Sequence, residues 1–291
     1  MRIEKVTKQI NKKNVLKNVS FTLRRGSITG VIGRNGAGKT TLLKIMTDIY
    51  RPTEGAVEIN ARNISIHPDA KQEIVYVPDS AEAIKSYSTS EAMKLYADIY
   101  PGFDKDYYDE LMNRFRLESV KKVKNYSKGK RALFSLILAF SARASYVLLD
   151  EPTDGLDVIV KKDILKMILE EAAEHETAII IASHRLDELE KIADHLLILD
   201  NGSVTTEIVL DDLKSQYKKV QVAFSEQLPE DLELYVHILE QTGRVYVLLL
   251  EKNIKEMEQR LLAAKPLLYD TLPLSLEDIF IARLGGKENV S

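Results

Sequence analysis

Gly33-Arg34-Asn35-Gly36-Ala37-Gly38-Lys39-Thr40 is the stretch on which the reading of this chain turns. It matches G-x-x-x-x-G-K-[ST], directly after the β-type run Ile28 to Ile32 and directly before a helix-like segment, Thr40 to Ile49. Gly33, Gly36 and Gly38 let the backbone turn tightly, so that N–H groups of a loop that includes Asn35 face phosphate oxygens, and the following helix adds its positive end. In such a loop Lys39 binds the β- and γ-phosphates, Thr40 a magnesium ion and Thr41 a further phosphate oxygen. The bland alternative is a glycine-rich turn without a ligand, but composition alone produces the pattern in only about 1% of chains of this length.

Working outward, Tyr146 to Leu149 is an apolar strand ending in Asp150-Glu151. Those carboxylates fall where a parallel sheet presents its ligand sites, at strand C-termini. Asp150 suits the magnesium, and Glu151 suits a group that orients or deprotonates an attacking water. A strand followed by Asp-Glu is commonplace, so its weight comes from partnership with the loop. His184 follows the apolar run Ile179 to Ile181 and can reach the same edge, where a neutral imidazole contacts the γ-phosphate and the water. A structural role for His184 is the alternative.

The 291 residues allow one large domain and a small one. With 45% hydrophobic and 29% charged residues the chain reads as globular rather than disordered. A net charge of -3 and the lack of a uniform basic block exclude a general pull toward nucleic acid. Without cysteine there are no disulfides and no thiolate metal sites, and the five histidines show no metal-ligand spacing. The start, MRIEKVTKQI, carries no apolar signal core, and stretches such as Leu133 to Ala142 fall short of the roughly 20 residues of a bilayer span. Membrane passage is therefore expected of another polypeptide.

Short β-type runs at Val19 to Leu23, Ala56 to Ile59, Ile74 to Val77, Ala178 to Ile181 and Leu196 to Leu199 alternate with helical stretches such as 158 to 173, which predicts an α/β layered core. Residues 80 to 126 break the pattern with Tyr87, Tyr96, Tyr100, Phe103, Tyr107, Tyr108, Phe115 and Tyr126 in mostly helical sequence. This reads as an inserted helical subdomain, extending over about 80–145, whose rings either fill its own core or dock a partner. After Asn201-Gly202, strand-like segments at 218 to 224 and 244 to 250 and helix-like ones at 253 to 263 and 275 to 284 predict an α+β appendage over 211–291, behind a main domain of 1–210. The end, GGKENVS, is expected to fray.

Taken in order, these motifs resemble the ATP-binding subunits of ABC transporters over roughly residues 2 to 205. The phosphate loop is followed by Tyr126-Ser127-Lys128-Gly129-Lys130 at the signature position, Tyr146 to Pro152 as the Walker B strand, Gly155-Leu156-Asp157 as the D-loop and His184 as the switch histidine. The resemblance implies a P-loop ATPase core that binds ATP and Mg2+ and acts at the cytoplasmic face of the cell membrane through an integral membrane transporter subunit. It further implies a second ATP-binding subunit, a copy of this chain or a different one, with Ser127 and Gly129 of this chain covering the ATP held by that partner. The signature form and the ending Leu276-Glu277-Asp278-Ile279-Phe280 resemble ABC-2-type exporters, among them Gram-positive peptide and drug exporters such as those of phenol-soluble modulins.

The chain departs from the family pattern in three places. Lys128 and Lys130 replace a glycine and a glutamine of the signature, Asp79 stands where glutamine usually follows a proline in the Q-loop, and Ile10 occupies the position of the adenine-stacking aromatic. Such departures leave room for a regulatory subunit of low turnover. A soluble ATPase acting on DNA or ribosomes is opposed by the single set of motifs and the lack of a long heptad array. Because Ile10 covers a base without offering a π-face, direct titration is expected to give similar affinities for ATP, GTP and ITP; a large preference for ATP would refute this.

Overall fold

The computed structural model describes residues 1–80, 82–251 and 253–285. The ending expected to fray lies, beyond Gly285, outside the described residues. The chain forms two compact units, one of Met1–Arg185 with Ile192–Glu207, the other of Leu186–Lys191 with the chain from Ile208 onward.

The first unit is built on a six-stranded sheet of β3 (Ile28–Ile32), β6 (Ile74–Val77), β7 (Tyr146–Asp150), β8 (Ala178–Ala182), β9 (His195–Asp200) and β10 (Ser203–Val209). Their order is β10-β9-β3-β8-β7-β6, and β9-β3-β8-β7-β6 pair in parallel. Every residue of β3, β7 and β8 is buried, which is why they read as unbroken apolar runs rather than alternating ones. A second, antiparallel sheet has the order β2-β1-β4-β5, from β1 (Arg2–Ile10), β2 (Lys13–Thr22), β4 (Glu54–Ile59) and β5 (Arg62–Asn63). One core joins Ile3, Leu16, Val19 and Val57 of this sheet, Leu42, Leu43 and Met46 of helix α1 (Lys39–Met46), and Val31, Leu148 and Ile180 of the parallel sheet.

Helices α2 (Thr89–Ile99), α3 (Lys105–Arg114) and α4 (Lys128–Ser141) lie between β6 and β7 in sequence, the inserted helical layer expected from the change of pattern. Their starts are encoded locally. Ser88 and Glu91 form a reciprocal capping box on α2, Asp104 accepts from Tyr107 N on α3, and Ser127 accepts from Lys130 N on α4. Of the eight aromatic residues in this stretch only Tyr87 is largely exposed. Tyr108 and Tyr126 are buried with their rings edge-on to Phe134, at 6.5 and 5.8 Å between centroids, so these rings fill the layer's own core. Helix α5 (Val158–His175) leads back to β8.

The second unit holds α6 (Leu186–Ile192) but for its last residue, and α7 (Leu210–Ser215). Then come β11 (Tyr217–Ala223), α8 (Glu230–Glu233), β12 (Val236–Thr242), β13 (Val245–Glu251), α9 (Ile254–Ala263), β14 (Leu268–Leu272) and α10 (Leu276–Gly285). From β11 to β14 this is a β-α-β-β-α-β chain with sheet order β12-β13-β11-β14 and every pair antiparallel, the ferredoxin-like arrangement. The appendage is thus α+β as expected, with Val220, Val222, Leu248 and Leu250 packed on Met257 and Leu261. The two strands of this unit that the sequence did not reveal, β12 and β14, are its edge strands, whose polar and charged residues mask any alternation.

Phe134 is fully buried against Tyr108 and Tyr126. Phe134→Ala is expected to lower unfolding stability by about 3–5 kcal/mol, read as a fall in the urea midpoint; an unchanged midpoint would contradict this packing.

Candidate active site

Parallel register brings the functional loops to one edge. Val31 of β3 and Asp150 of β7 both pair with Ala182 of β8, so the strands end level with one another. The chain leaves them as Gly33 to Lys39, as Glu151 onward and as Ser183-His184.

In the phosphate loop two glycines are sterically required. A Cβ at Gly33 would lie 2.4 Å from the Leu199 carbonyl oxygen, and Gly38 has φ of 108° with a Cβ position 3.0 Å from the Val15 oxygen. Gly38 caps α1 with no side chain accepting from the first turn, which leaves that turn's N–H groups for an anion. Asn35 and Gly36 are exposed at the loop tip, and Thr41 is half-buried on α1. Lys39 is only 8% exposed. Its Nζ donates to the Gly33 carbonyl at 2.8 Å and lies 3.9 Å from Glu151 Oε1.

Asp150, buried at the end of β7, accepts from Thr40 Oγ1 at 3.2 Å and from the Tyr76 phenol at 3.1 Å. Burial pushes its carboxyl above the usual range; the two hydrogen bonds pull it back, and the charges of Glu151 and Asp79 push it further up. The Tyr76 phenol is pushed up by its own burial and then by the Asp150 charge, so it remains a donor.

Glu151 has φ of 48°, left-handed and strained for a non-glycine residue. Its N–H donates to the Ala182 carbonyl at 2.9 Å, tying the turn to β8. The side chain meets His184 twice, accepting at Oε2 from the backbone N–H at 3.3 Å and pairing with Nδ1 at 2.9 Å. On the other side of the ring, His184 Nε2 lies 4.0 Å from Asp154 Oδ1.

Lys39, Thr40, Asp150, Glu151 and His184 therefore converge on one edge. Asp79, exposed after β6, lies close enough for its charge to act on Asp150, and lines a cleft of about 460 Å3 with Glu151, Lys128 and Asp154. Ile10, 37% exposed, closes the β1–β2 hairpin, whose Leu16 packs against Gly38. The other motif residues serve local roles in this chain. Ser127 caps α4, Gly129 fits where a Cβ would press on Val160 at 3.1 Å, and Asp157 caps α5 by accepting from Ile159 N and Val160 N at 3.1 and 3.0 Å.

Tyr76 and Asp154 escaped the sequence reading. Tyr76 pairs with Leu148, two residues before Asp150, so its side chain shares a sheet face with that carboxylate. Its one signal is a hydroxyl within the apolar run Ile74 to Val77.

The ABC transporter family model matches residues 16–154. The chain is 37% identical to the ABC transporter ATP-binding protein YtrB of Bacillus subtilis, over 99% of each chain. It is 28% identical to the bacitracin transport ATP-binding protein BcrA of Bacillus licheniformis, over 97% of this chain and 96% of that one. A solved structure of an ATP-binding subunit of an ABC transporter superposes with a TM-score of 0.67 at 28% identity, covering 74% of this chain and 92% of that one. With a phosphate loop facing a carboxylate–imidazole pair and a full-length relative of this likeness, the chain belongs to the ABC transporter family, as an ATP-binding subunit that hydrolyses ATP.

Proposed function

We propose that this subunit hydrolyses ATP between Lys39 and Glu151, and that two such subunits closing on each other drive export through a membrane-spanning partner. The observation that carries the reading is the 3.9 Å approach of Lys39 to Glu151, whose other oxygen engages His184. Gly33, Asn35, Gly36 and Gly38 shape the loop whose N–H groups bind the phosphates, Lys39 and Thr41 hold the phosphate oxygens, and Ile10 covers the base. Glu151 takes the proton of the attacking water, and His184 fixes the orientation of that carboxylate.

The donor set fits Mg2+. Asp150 and Thr40 present hard oxygens 3.2 Å apart, and burial pushes the Asp150 carboxyl up, a tendency that a divalent ion would oppose. Asp150 and Thr40 would hold the ion, which would supply positive charge against the nucleotide's phosphates.

A second subunit is the reading of the exposed signature and D-loop surfaces. Ser127 is exposed ahead of α4 while Gly129 is buried in its first turn, and Asp157 holds a turn next to Val158 and Ile159, apolar side chains 81% and 75% exposed. Closure over ATP buries the phosphates and reopening passes motion onward. We assign the membrane partner's seat to the groove lined by Ile49, Pro68, Ile74, Ile99 and Tyr100 in the first unit, because Ile49 and Ile99 leave apolar side chains exposed there. Among the described residues no helix is long and apolar enough to cross a membrane. We place the protein at the cytoplasmic face, held by that partner, with residues 1–210 as the ATPase domain and 211–291 as an accessory domain. The Tyr-Ser-Lys-Gly signature and the ending at Leu276 to Phe280, with the likeness to BcrA, favour an ABC-2-type exporter of peptides or drugs, in the manner of the phenol-soluble modulin exporters.

Glu151→Gln is expected to lower ATP turnover by about 100-fold or more while ATP still binds; turnover equal to that of the parent would defeat the reading. Specific activity of the purified subunit is expected to rise with its concentration, as paired subunits form. Rapid hydrolysis at a constant specific activity would refute dimer-dependent chemistry.

A further inference from the structure

One charge at this edge has no part in the reaction just described, the ammonium of Lys128. The residue opens α4, and its side chain is half exposed. Its Nζ lies toward the turn that begins at Glu151 and stands 3.9 Å from Asp154 Oδ2. It lies so close over Gly155 that a Cβ there would be 2.5 Å from Nζ. Gly155 has φ of 63°, and the Asp154 N–H donates to the Glu151 carbonyl at 3.2 Å, so Asp154 is set in place by the same turn that sets Glu151.

Asp154 is the second carboxylate beside His184. The imidazole bonds Glu151 through Nδ1 at 2.9 Å, and its Nε2 stands 4.0 Å from Asp154 Oδ1, a gap that a small side-chain rotation closes. A neutral imidazole carries one N–H, so the two carboxylates compete for that donor, and an ammonium on the far oxygen of Asp154 biases the competition. With Lys128 in place Asp154 has a counter-ion; without it, Asp154 takes the imidazole N–H at Nε2, which leaves Nδ1 with no proton to donate to Glu151.

We propose that Lys128 is a positioning residue for hydrolysis: by holding Asp154 away from His184 it keeps the imidazole on Glu151. The effect is exerted within one subunit, on kcat, and needs no contact between Lys128 and the nucleotide. It rests on the roles given above to Glu151 and His184.

The test is a mutant cycle on the full chain, with kcat and KM for ATP measured at one high protein concentration for the parent, Lys128→Met, Lys128→Arg and Lys128→Met/Asp154→Asn. Lys128→Met is expected to lower kcat roughly fivefold with little change in KM, and Lys128→Arg to keep most of the activity. Removing the Asp154 charge in the same chain is expected to restore most of the loss, because no carboxylate then competes; a merely structural Lys128 would show no such rescue. A double variant as slow as Lys128→Met, an unchanged kcat in Lys128→Met, or an effect on KM alone would overturn the proposal. Glu151→Gln, run alongside, separates the two levels: turnover surviving there overturns the catalytic reading itself, and this inference with it.

Discussion

The buried ammonium of Lys39 is the charge around which the catalytic edge is arranged. A cation 8% exposed is tolerated only where acceptors surround it, and here they are the Gly33 carbonyl at 2.8 Å and the Glu151 carboxylate at 3.9 Å. Meeting both requires a loop that doubles back on itself. That in turn requires Gly33, where any side chain would strike Leu199, and Gly38, whose φ of 108° only glycine adopts freely. It also requires β3 and β7 to end level, which their common pairing with Ala182 of β8 secures.

Strain is concentrated at the same place. Glu151 is held at φ of 48° by its bond to Ala182 and by two contacts with His184. A left-handed glutamate persists because the surrounding contacts over-determine it, and its effect is to aim the carboxylate back at the phosphate loop instead of along the strand. Asp150, one residue earlier, keeps the strand geometry and is buried among hydroxyls. Adjacent carboxylates thereby acquire different environments, one dry and hydroxyl-bonded, the other partly exposed and paired with an imidazole.

Several residues singled out by motif have local structural roles as well. Ser127 and Asp157 are helix caps, and Gly129 is a packing glycine under Val160. These roles do not compete with contacts to a second subunit, since a cap orients the very turn that would present them. The departures Asp79 and Lys128 share one cleft with Glu151 and Asp154, so the unusual residues of the Q-loop and signature belong to one electrostatic neighbourhood although 49 positions separate them in the chain.

The sequence by itself determined the buried strands, because strands covered on both faces carry uninterrupted apolar runs, and the phosphate loop, because its chemistry depends on glycine and lysine at fixed local spacing. Helix starts at Ser88, Asp104 and Asp157 are likewise local, made by bonds that span only two or three residues, although the sequence alone did not reveal them as caps. Tertiary structure alone decided what depends on register and on side-chain direction. The Tyr76 bond to Asp150 exists because β6 pairs with β7 in one register, and the Lys128 pair with Asp154 because α4 starts beside the turn after β7. The edge strands β12 and β14 and the grouping of Leu186–Lys191 with the second unit were equally invisible. A strand with mixed polarity gains its identity from its neighbour's hydrogen bonds, and a short helix gains its allegiance from what it packs on, neither of which is written in the segment itself.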